Sequence, residues 1–285
     1  MAKRLAGRCG YPKDDPFRVT LHPDRLPEPL HWRKPCRVFV CSMGDLFHEK
    51  VPFDFIDQAW AVTALCPQHT FTVLTKRPDR MLEYLVSPAR HNAIELAAES
   101  IRYGHPSLGG AHVLRDLPLP NVHLGVSVED QNTLDERLRW LMQCPAAVRF
   151  VSYEPALASA EFAPWLDRLD GVIAGGETGP GARPAHPDWF RKVRDDCKAA
   201  GVPFFLKQLG EWVHERSLAV KVFQDADGKY TVAGFEGLSH PPNRGTPLHQ
   251  WPDGSWSCRV GKKLAGRLLD GREHNDLPGT AEGGE

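Results

Sequence analysis

The chain has 285 residues, of which 41% are hydrophobic and 25% are charged, and its formal net charge is −1. These values are typical of a globular protein with one barrel-sized domain or two small domains, and they exclude the strong overall charge of many nucleic-acid binders. No apolar run approaches the roughly 18 residues that a membrane span needs, and the first residues lack the apolar core of a signal peptide. We therefore expect a cytoplasmic protein that makes no contact with a membrane.

The cysteines argue against a disulfide framework and against a local zinc site. There are seven of them, and no two are separated by only two residues. An odd number without such pairs is typical of a reduced cytosolic protein, in which free cysteines behave as small apolar residues. We therefore predict no metal ligand among them, and a metal held by distant cysteines stays an alternative.

The strongest pattern in the chain is a series of short apolar runs that each lead into polar or charged residues. Six such runs are present, at residues 38–41, 71–74, 122–126, 150–151, 172–174 and 204–206. Short apolar runs between helical stretches are typical of buried parallel strands. Parallel α/β proteins place their sites at the carboxyl ends of such strands, so the polar residues after each run are candidate site residues.

Around these runs the pattern predicts loops and helices. Proline and charge predict that residues 10–36 form a loop that leads into the first strand, and residues 104–120 also have the composition of a loop. Helices are predicted near Pro52, after Asp79 as a cap, over Ala93–Ile101, from Asn132 or Thr133, near Trp165, and over Pro187–Ala200 with Gly201 as its end. Helices that alternate with short buried strands favour an α/β fold with a parallel sheet.

Past residue 210 the pattern changes to short strands joined by turns. Residues 220–232 and 248–257 each predict a hairpin around an Asp-Gly turn, and Lys262–Leu269 predicts a last helix. We therefore divide the chain into a lead-in segment 1–36, a parallel body 37–210 and an appendage 211–285. The last helix has a basic face, formed by Arg259, Lys262, Lys263 and Arg267. This face is either a nucleic-acid contact or, by preference, a solvated surface.

Alternation within three strands places a carboxylate on the same face as small residues. The shared faces are His123, Gly125, Ser127 and Glu129 on one strand, Phe150, Ser152 and Glu154 on the next, and Ile173, Gly175 and Glu177 on the third. In a barrel, these three carboxylates meet at the carboxyl-terminal mouth of the lumen.

Carboxylates gathered in one cleft repel each other unless cations neutralise them. Lys76, Arg77, Arg183 and Lys207 are the candidate cations, and the parity of the strand at 71–77 leaves open whether Lys76 or Arg77 points inward. A divalent metal on the same carboxylates would give a hydrolase, and a pair that includes Glu154 would give a glycosidase. The same groups are also compatible with structural ion pairs at the rim of a barrel.

The run from Gly175 to Gly181 predicts either a loop whose backbone N–H groups approach an anion or a tight turn. It matches neither of the common nucleotide-binding patterns, GxxxxGK[ST] and GxGxxG. A serine hydrolase is disfavoured, because none of Ser42, Ser127 and Ser152 lies in a GxSxG pattern.

Seven motifs together resemble one phage and bacterial family. They are Val40–Phe47, Leu74–Pro78, Gly125–Glu129, Ser152–Pro155, Gly175–Glu177, Lys207–Trp212 and Arg259–Gly271. The family goes by phage gene product 37 / gene product 68, also called domain of unknown function 5131, and the motifs cover nearly the whole chain in order. Its members resemble radical S-adenosylmethionine (SAM) enzymes, in which three cysteines hold a [4Fe–4S] cluster.

The resemblance implies an α/β fold, a partial parallel (βα) barrel that is TIM-like and radical-SAM-like, with a small appendage. It implies a radical-SAM-like enzyme or its remnant, and the phage context suggests modification of a nucleotide or nucleic acid. This chain lacks the family's three-cysteine segment and first barrel strand, so we expect Met1 to be an internal start, with a natural form without the cluster as the alternative. SAM and the cluster are accordingly expected only in a full-length form.

The predicted site combines the residue patterns with the resemblance. The predicted catalytic residues are Glu129, Glu154 and Lys207. The predicted cofactor-binding residues are Asp45, Ser127, Ser152, Gly175, Gly176 and Glu177, and the predicted substrate-binding residues are Lys76, Arg77, Arg183 and Gln208. The substrate is an unknown small molecule or nucleic acid, and no oligomeric state is predicted. The alternatives are a divalent-metal hydrolase on the same carboxylates and a non-catalytic nucleic-acid-binding protein.

Overall fold

A computed structural model describes residues 5–8, 10–105, 117–216, 221–224, 230–233 and 247–279. The chain divides into two compact units. Unit 1 contains residues 1–126 and 139–148, and unit 2 contains residues 127–138 and 149–285. The predicted segments 1–36, 37–210 and 211–285 stay a prediction. Within the described residues, no helix is both long and apolar enough to cross a membrane.

All six predicted strands are present and form one parallel sheet. They are β1 (Arg37–Val40), β2 (Thr70–Thr75), β3 (Val122–Val128), β4 (Val148–Tyr153), β5 (Val172–Gly175) and β6 (Phe204–Gln208). Their order in the sheet is the order in the chain. Sequential order is found in (βα) barrels, whereas doubly wound sheets reverse their order at one point. The fold is therefore α/β with the strand order of a partial barrel, as predicted.

Three helices belong to unit 1: α1 (Phe53–Leu65), α2 (Pro78–Val86) and α3 (Pro88–Gly104). Side chains of Phe47, Trp60 and Tyr84 meet in one buried aromatic cluster, with ring centroids 5.4 to 5.9 Å apart. The predicted cap at Asp79 is wrong, because the residue before the helix is Arg77 and Pro78 takes the first position that proline favours. Helix α3 also begins earlier than predicted, again at a proline. Residues 106–116 of the predicted loop lie outside the described residues.

Helix α4 (Gln131–Leu141) follows β3 directly, and its start also differs from the prediction. The helix begins at Gln131, before both predicted starts, Asn132 and Thr133. The carboxylate of Asp130 accepts a hydrogen bond from the backbone N–H of Thr133 at 2.9 Å, so Asp130 is the cap. The predicted inward residues Leu134, Leu138 and Leu141 are fully buried. The helical spacing of leucines therefore identified the buried face correctly.

Helix α5 (Pro187–Ala200) in unit 2 has the predicted bounds and ends at Gly201. Both predicted hairpins are confirmed, as β8 (Lys221–Gln224) with β9 (Tyr230–Ala233), and β10 (Leu248–Gln250) with β11 (Trp256–Arg259). Strand β7 (Trp212–His214), which the sequence analysis missed, pairs antiparallel with β11. The predicted last helix is wrong in length, because α6 covers only Lys262–Ala265. Gly266 then takes a positive φ of 65°, which ends the helix.

A polar network that contains the buried side chains of His214 and Ser255 and the exposed carboxylate of Asp253 joins β7 to the turn between β10 and β11. His214 donates from Nε2 to Ser255 Oγ at 2.9 Å, and Ser255 Oγ donates to the carboxylate of Asp253. The backbone N–H of Arg216 donates to His214 Nδ1 at 3.2 Å, so Nδ1 is the unprotonated nitrogen. Burial, and then the nearby charges of His186 and Arg216, lower the pKa of His214 to about 4.

We predict that His214 makes the free energy of unfolding about 2 kcal/mol smaller at pH 5 than at pH 7. Its pKa is lowered in the folded state, so the unfolded chain binds a proton below the ordinary value of 6.5 while the folded chain stays neutral. The stabilisation is complete above that value and is lost as the pH falls towards 4. Urea unfolding across this pH range measures the effect, and His214→Gln should show the shallower slope. Equal slopes for both proteins would contradict the prediction.

Candidate functional site at the carboxyl ends of the strands

Glu154 directly follows β4 and is held in one position by residues of β5 and β6. Its Oε2 accepts a hydrogen bond from Lys207 Nζ at 3.0 Å, and its Oε1 accepts one from Gln208 Nε2 at 3.1 Å. Gly175 provides the space for this carboxylate, because a Cβ at that position would lie 3.1 Å from Glu154 Oε1. Both oxygens of the carboxylate are therefore oriented before any ligand binds.

Gln208 is the residue that fixes this arrangement. Its side chain is buried, and its Nε2 also donates to the carbonyl oxygen of Gly176 at 2.7 Å. Its Oε1 accepts from the backbone N–H of Gly210 at 3.2 Å. Because the amide is bonded at both its nitrogen and its oxygen, it cannot rotate without loss of several hydrogen bonds.

Glu177, two residues after β5, pairs with Arg183 in a bidentate geometry. The guanidinium donates from Nε and Nη2 to the two carboxylate oxygens, each at 2.8 Å, and the backbone N–H of Arg183 donates to Oε2 at 2.8 Å. These hydrogen bonds lower the pKa of Glu177 to about 2. Glu177 is therefore fully ionised at neutral pH, and its acceptor positions are largely occupied.

Glu129, directly after β3, pairs with a residue that the sequence analysis missed. Arg137 on α4 donates from Nη1 to Glu129 Oε2 at 2.9 Å and to the carbonyl oxygen of Ser127 at 2.6 Å. The charge of Glu129 is one of the causes that raise the pKa of Arg183, so Glu129 lies within electrostatic range of the Glu177–Arg183 pair. The sequence signal for Arg137 is its position on α4, one turn from each of the inward residues Leu134 and Leu141.

The glycine-rich run is occupied by internal groups. The backbone N–H of Gly179 donates to Glu211 Oε1 at 3.0 Å, and its carbonyl oxygen accepts from Arg259 Nη2 at 2.8 Å. The backbone N–H of Gly179, one of the groups predicted to approach an anion, therefore binds the carboxylate of Glu211 from the same chain. Glu211 and Arg259 were not predicted here, because both come from the appendage and no local pattern connects them to the run.

The predicted basic face of the last helix is largely used for structure. Arg259 bonds Gly179, and Arg267 donates to the carbonyl oxygen of His274 and to Asn275 Oδ1. Only Lys262 and Lys263 of the four predicted basic residues have exposed side chains. The face is therefore much smaller than a continuous basic helix of eight residues would provide.

Asp45, Lys76 and Arg77 come together in unit 1. Asp45 Oδ1 accepts from Thr75 Oγ1 at 2.7 Å and from the backbone N–H of Phe47 at 2.9 Å. Its Oδ2 accepts from the backbone N–H of Lys76 at 3.1 Å and from Arg77 Nη1 at 2.9 Å. The carboxylate of Asp45 thus fastens the segment after β1 to the end of β2, and the guanidinium of Arg77 is part of that fastening.

The remaining predicted residues lie close to Glu154 in unit 2. Ser127 Oγ donates to the backbone carbonyl oxygen of Glu154 at 3.3 Å. Ser152 is buried on β4, two residues before Glu154. Unit 2 therefore contains one cluster, which we call the strand-end cluster: Ser127, Glu129, Arg137, Ser152, Glu154, Gly175, Gly176, Glu177, Arg183, Lys207 and Gln208. The catalytic and binding roles assigned to these residues stay predictions.

The described residues do not fit the cofactors that the resemblance implies. In the part of the chain that the structure describes, no group of three or more His, Cys, Asp or Glu side chains is placed to hold a metal ion. Of the six cysteines that it describes, Cys66, Cys144, Cys197 and Cys258 are buried, whereas Cys36 and Cys41 are exposed. Glu177, the predicted contact for the SAM amino group, is already bonded to Arg183. We therefore assign no chemical step to a cluster or to SAM in this chain.

Comparison with known families decides the identity of the chain. A family model described as a protein of unknown function (DUF5131) matches residues 1–278. The chain belongs to the DUF5131 family. The strand-end cluster accordingly lies within the DUF5131 region, as do the residues of unit 1 that fasten the end of β2. No curated protein matches the chain significantly.

Proposed function

We propose that this DUF5131 protein is an enzyme that binds an anionic substrate at the strand-end cluster and transfers a proton through Glu154. The observation that carries the proposal is the order of charges from the interior outward. The side chain of Lys207 is 54% exposed above Glu154, which is 20% exposed. The side chain of Arg183 is 59% exposed above Glu177, which is 26% exposed. In both pairs the carboxylate is therefore less exposed to solvent than the cation that binds it.

This layering favours phosphate or carboxylate groups as ligands. The ammonium of Lys207 has three donors and the guanidinium of Arg183 has five, and both retain donors beyond those used by their carboxylates. An oxyanion at Lys207 or at Arg183 would form charge-assisted hydrogen bonds with a cation that its carboxylate already orients. Among phosphate-bearing substrates, nucleotides and nucleic acids match the prediction from the resemblance.

Glu154 is the proposed general base. Its Oε2 bonds Lys207 before the substrate arrives. When an anionic group takes the ammonium, Oε2 loses this partner while Gln208 still holds Oε1, so the free oxygen accepts a proton from an adjacent substrate O–H or N–H. Glu129 and Arg137 complete the cluster and hold β3 in place beside Glu154 through Ser127.

The alternatives receive less support from the residues. Glu129, Glu154 and Glu177 are each paired with a cation, so a divalent metal would add positive charge to a set that is already balanced. The sequential strand order of the parallel sheet supports a radical-SAM enzyme. Against it, the described residues contain no group of side chains placed to hold a metal ion. The alternative of a non-catalytic nucleic-acid-binding protein is supported only by two exposed lysines of the predicted basic face, Lys262 and Lys263.

Anion binding is tested first with inorganic pyrophosphate, AMP and a short single-stranded oligonucleotide, by calorimetry and thermal shift. We expect Lys207→Met to weaken binding about tenfold or more, the loss of one hydrogen bond between charged groups. Glu154→Gln should tighten binding, because the carboxylate no longer competes for the ammonium. A merely structural ion pair predicts no such opposite effects of the two substitutions.

Lys263→Met is the matched control, since it removes an equal charge from the exposed surface of α6. It should leave the binding of all three probes unchanged. If Lys263→Met and Lys207→Met weakened oligonucleotide binding equally, the result would favour the non-catalytic binding protein. If none of the three probes bound to the wild-type protein, the proposed function would be wrong.

A further inference from the structure

A cysteine and a histidine form a pair in unit 1, far along the chain from the strand-end cluster. Cys36 is exposed and directly precedes β1, and its Sγ lies 3.5 Å from Nδ1 of His69, which precedes β2. The backbone N–H of Cys36 also donates to this Nδ1, at 3.3 Å. The imidazole is only 1% exposed, so its position is fixed by the surrounding residues, including an edge-on contact with Trp32.

The partners of His69 determine which nitrogen carries the proton. Nδ1 accepts a hydrogen bond from the backbone N–H of Cys36, so Nδ1 is unprotonated and Nε2 carries the proton. Nε2 lies 3.3 Å from both the carbonyl oxygen of Pro29, which can accept that proton, and the side-chain amide of Gln68. The backbone N–H and the thiol of Cys36 share the lone pair of Nδ1. A nucleophile beside a base, with the base oriented by a third group, is the arrangement that activates cysteine in many proteins.

Two other thiols in unit 1 lack this environment. Cys66 is buried, and burial, followed by the charge of Cys36, raises its pKa to about 11, so it stays a protonated thiol. Cys41 is exposed like Cys36, but partial desolvation and then the carboxylate of Asp45 raise its pKa. Cys41 is thus disfavoured as a thiolate by desolvation and by the charge of Asp45, whereas the thiol of Cys36 lies beside an imidazole.

We propose that Cys36 is a modification site that exchanges with small disulfides, with His69 as the base that receives its proton. The thiol proton passes to His69 Nδ1, and the thiolate sulfur attacks one sulfur of the disulfide. The disulfide bond breaks, Cys36 forms a mixed disulfide, and the leaving thiolate takes the proton back from His69. One thiol and one disulfide are consumed and one of each is formed.

The test measures the rate at Cys36 and at Cys41 of the folded 285-residue chain. The protein is treated with glutathione disulfide for increasing times, the remaining thiols are alkylated, and trypsin then separates Cys36 from Cys41 by cleavage after Arg37. We expect Cys36 to react about tenfold faster than Cys41 at neutral pH, a modest part of what general-base catalysis provides. His69→Gln should reduce the rate at Cys36 to that at Cys41.

Cys41 is the internal control, because its rate in His69→Gln reports whether the fold around β1 is retained. In the wild type, an equal or faster rate at Cys41 would overturn the proposal without any variant. A folded His69→Gln protein in which Cys36 keeps its rate would also overturn it. The pH dependence of the Cys36 rate should change in this variant, which a purely structural role of His69 would not cause.

Discussion

Replacing Gly176 by alanine is expected to destabilise the protein by about 3 kcal/mol, because the added methyl group would collide with backbone atoms. A Cβ at Gly176 would lie 2.3 Å from the carbonyl oxygen of Leu209 and 2.7 Å from its carbonyl carbon. Neither atom can rotate away as a side chain would. The backbone N–H of Gly176 also donates to the carbonyl oxygen of Gln208 at 3.1 Å, so the two segments cannot separate without loss of this bond.

Urea unfolding of the variant and the wild type measures this effect, and Gly104→Ala is the matched control. Gly104 ends α3, and a Cβ there would meet no heavy atom within 4 Å. The control should unfold at the same urea concentration as the wild type or at a slightly higher one, because alanine restricts the unfolded chain. If Gly176→Ala and the control unfolded at the same midpoint urea concentration, the inference that Gly176 lies too close to the backbone of Leu209 for a side chain would be wrong.

Gly175→Ala, at the residue next to Gly176, is expected to change ligand binding more than stability. The atom that a Cβ at Gly175 would meet is Glu154 Oε1, at 3.1 Å, and a carboxylate at the end of a side chain can move. We therefore expect a smaller loss of stability than for Gly176→Ala and a displaced Glu154. In the pyrophosphate assay this displacement should resemble Glu154→Gln, with tighter binding because the bond from Lys207 is weakened. Unchanged binding would show that Glu154 does not compete for the ammonium.

The strands could be predicted from the sequence because each is a short apolar run with a clear boundary. Burial supports this reasoning most directly in β3, where every residue from Val122 to Val128 is buried. The failures have local physical causes. Strand β7 is three residues long and contains Trp212 and His214, so no apolar run announces it. Helix α6 stops at Gly266, although the residues beyond it continue a helical composition.

The candidate site could be predicted only in part, because sequence locates the ends of strands and does not locate the partners of side chains. The alternation of β3, β4 and β5 correctly brought three carboxylates to one end of the sheet. Their cations come from different places: Arg137 from α4, Arg183 from the loop after β5, and Lys207 from β6. Gly175 and Gly176 were predicted to contact a cofactor. In the structure, a side chain at Gly175 would crowd the carboxylate of Glu154, and one at Gly176 would collide with the backbone of Leu209, which explains why both residues are glycines. Such tertiary contacts leave no local pattern.

Replacing Asp45 by alanine is expected to lower the free energy of unfolding by about 4 kcal/mol, at about 1 kcal/mol for each of four hydrogen bonds. Asp45 accepts from Thr75 Oγ1, from Arg77 Nη1 and from the backbone N–H groups of Phe47 and Lys76. Its side chain is 14% exposed, so water replaces few of these bonds in the variant. The two backbone donors would then be left without an acceptor next to the end of β2.

This outcome decides between two roles for Asp45, since a residue that only contacts a cofactor can be removed with little loss of stability. Asp54→Ala is the control, because Asp54 belongs to the same unit and its side chain is 91% exposed, 3.6 Å from Arg90. It should cost less than about 1 kcal/mol, as exposed ion pairs do. Urea unfolding of both variants gives the comparison. If Asp45→Ala were as stable as Asp54→Ala, the fastening of β2 would be wrong, and the predicted role of Asp45 in cofactor binding would become the better explanation.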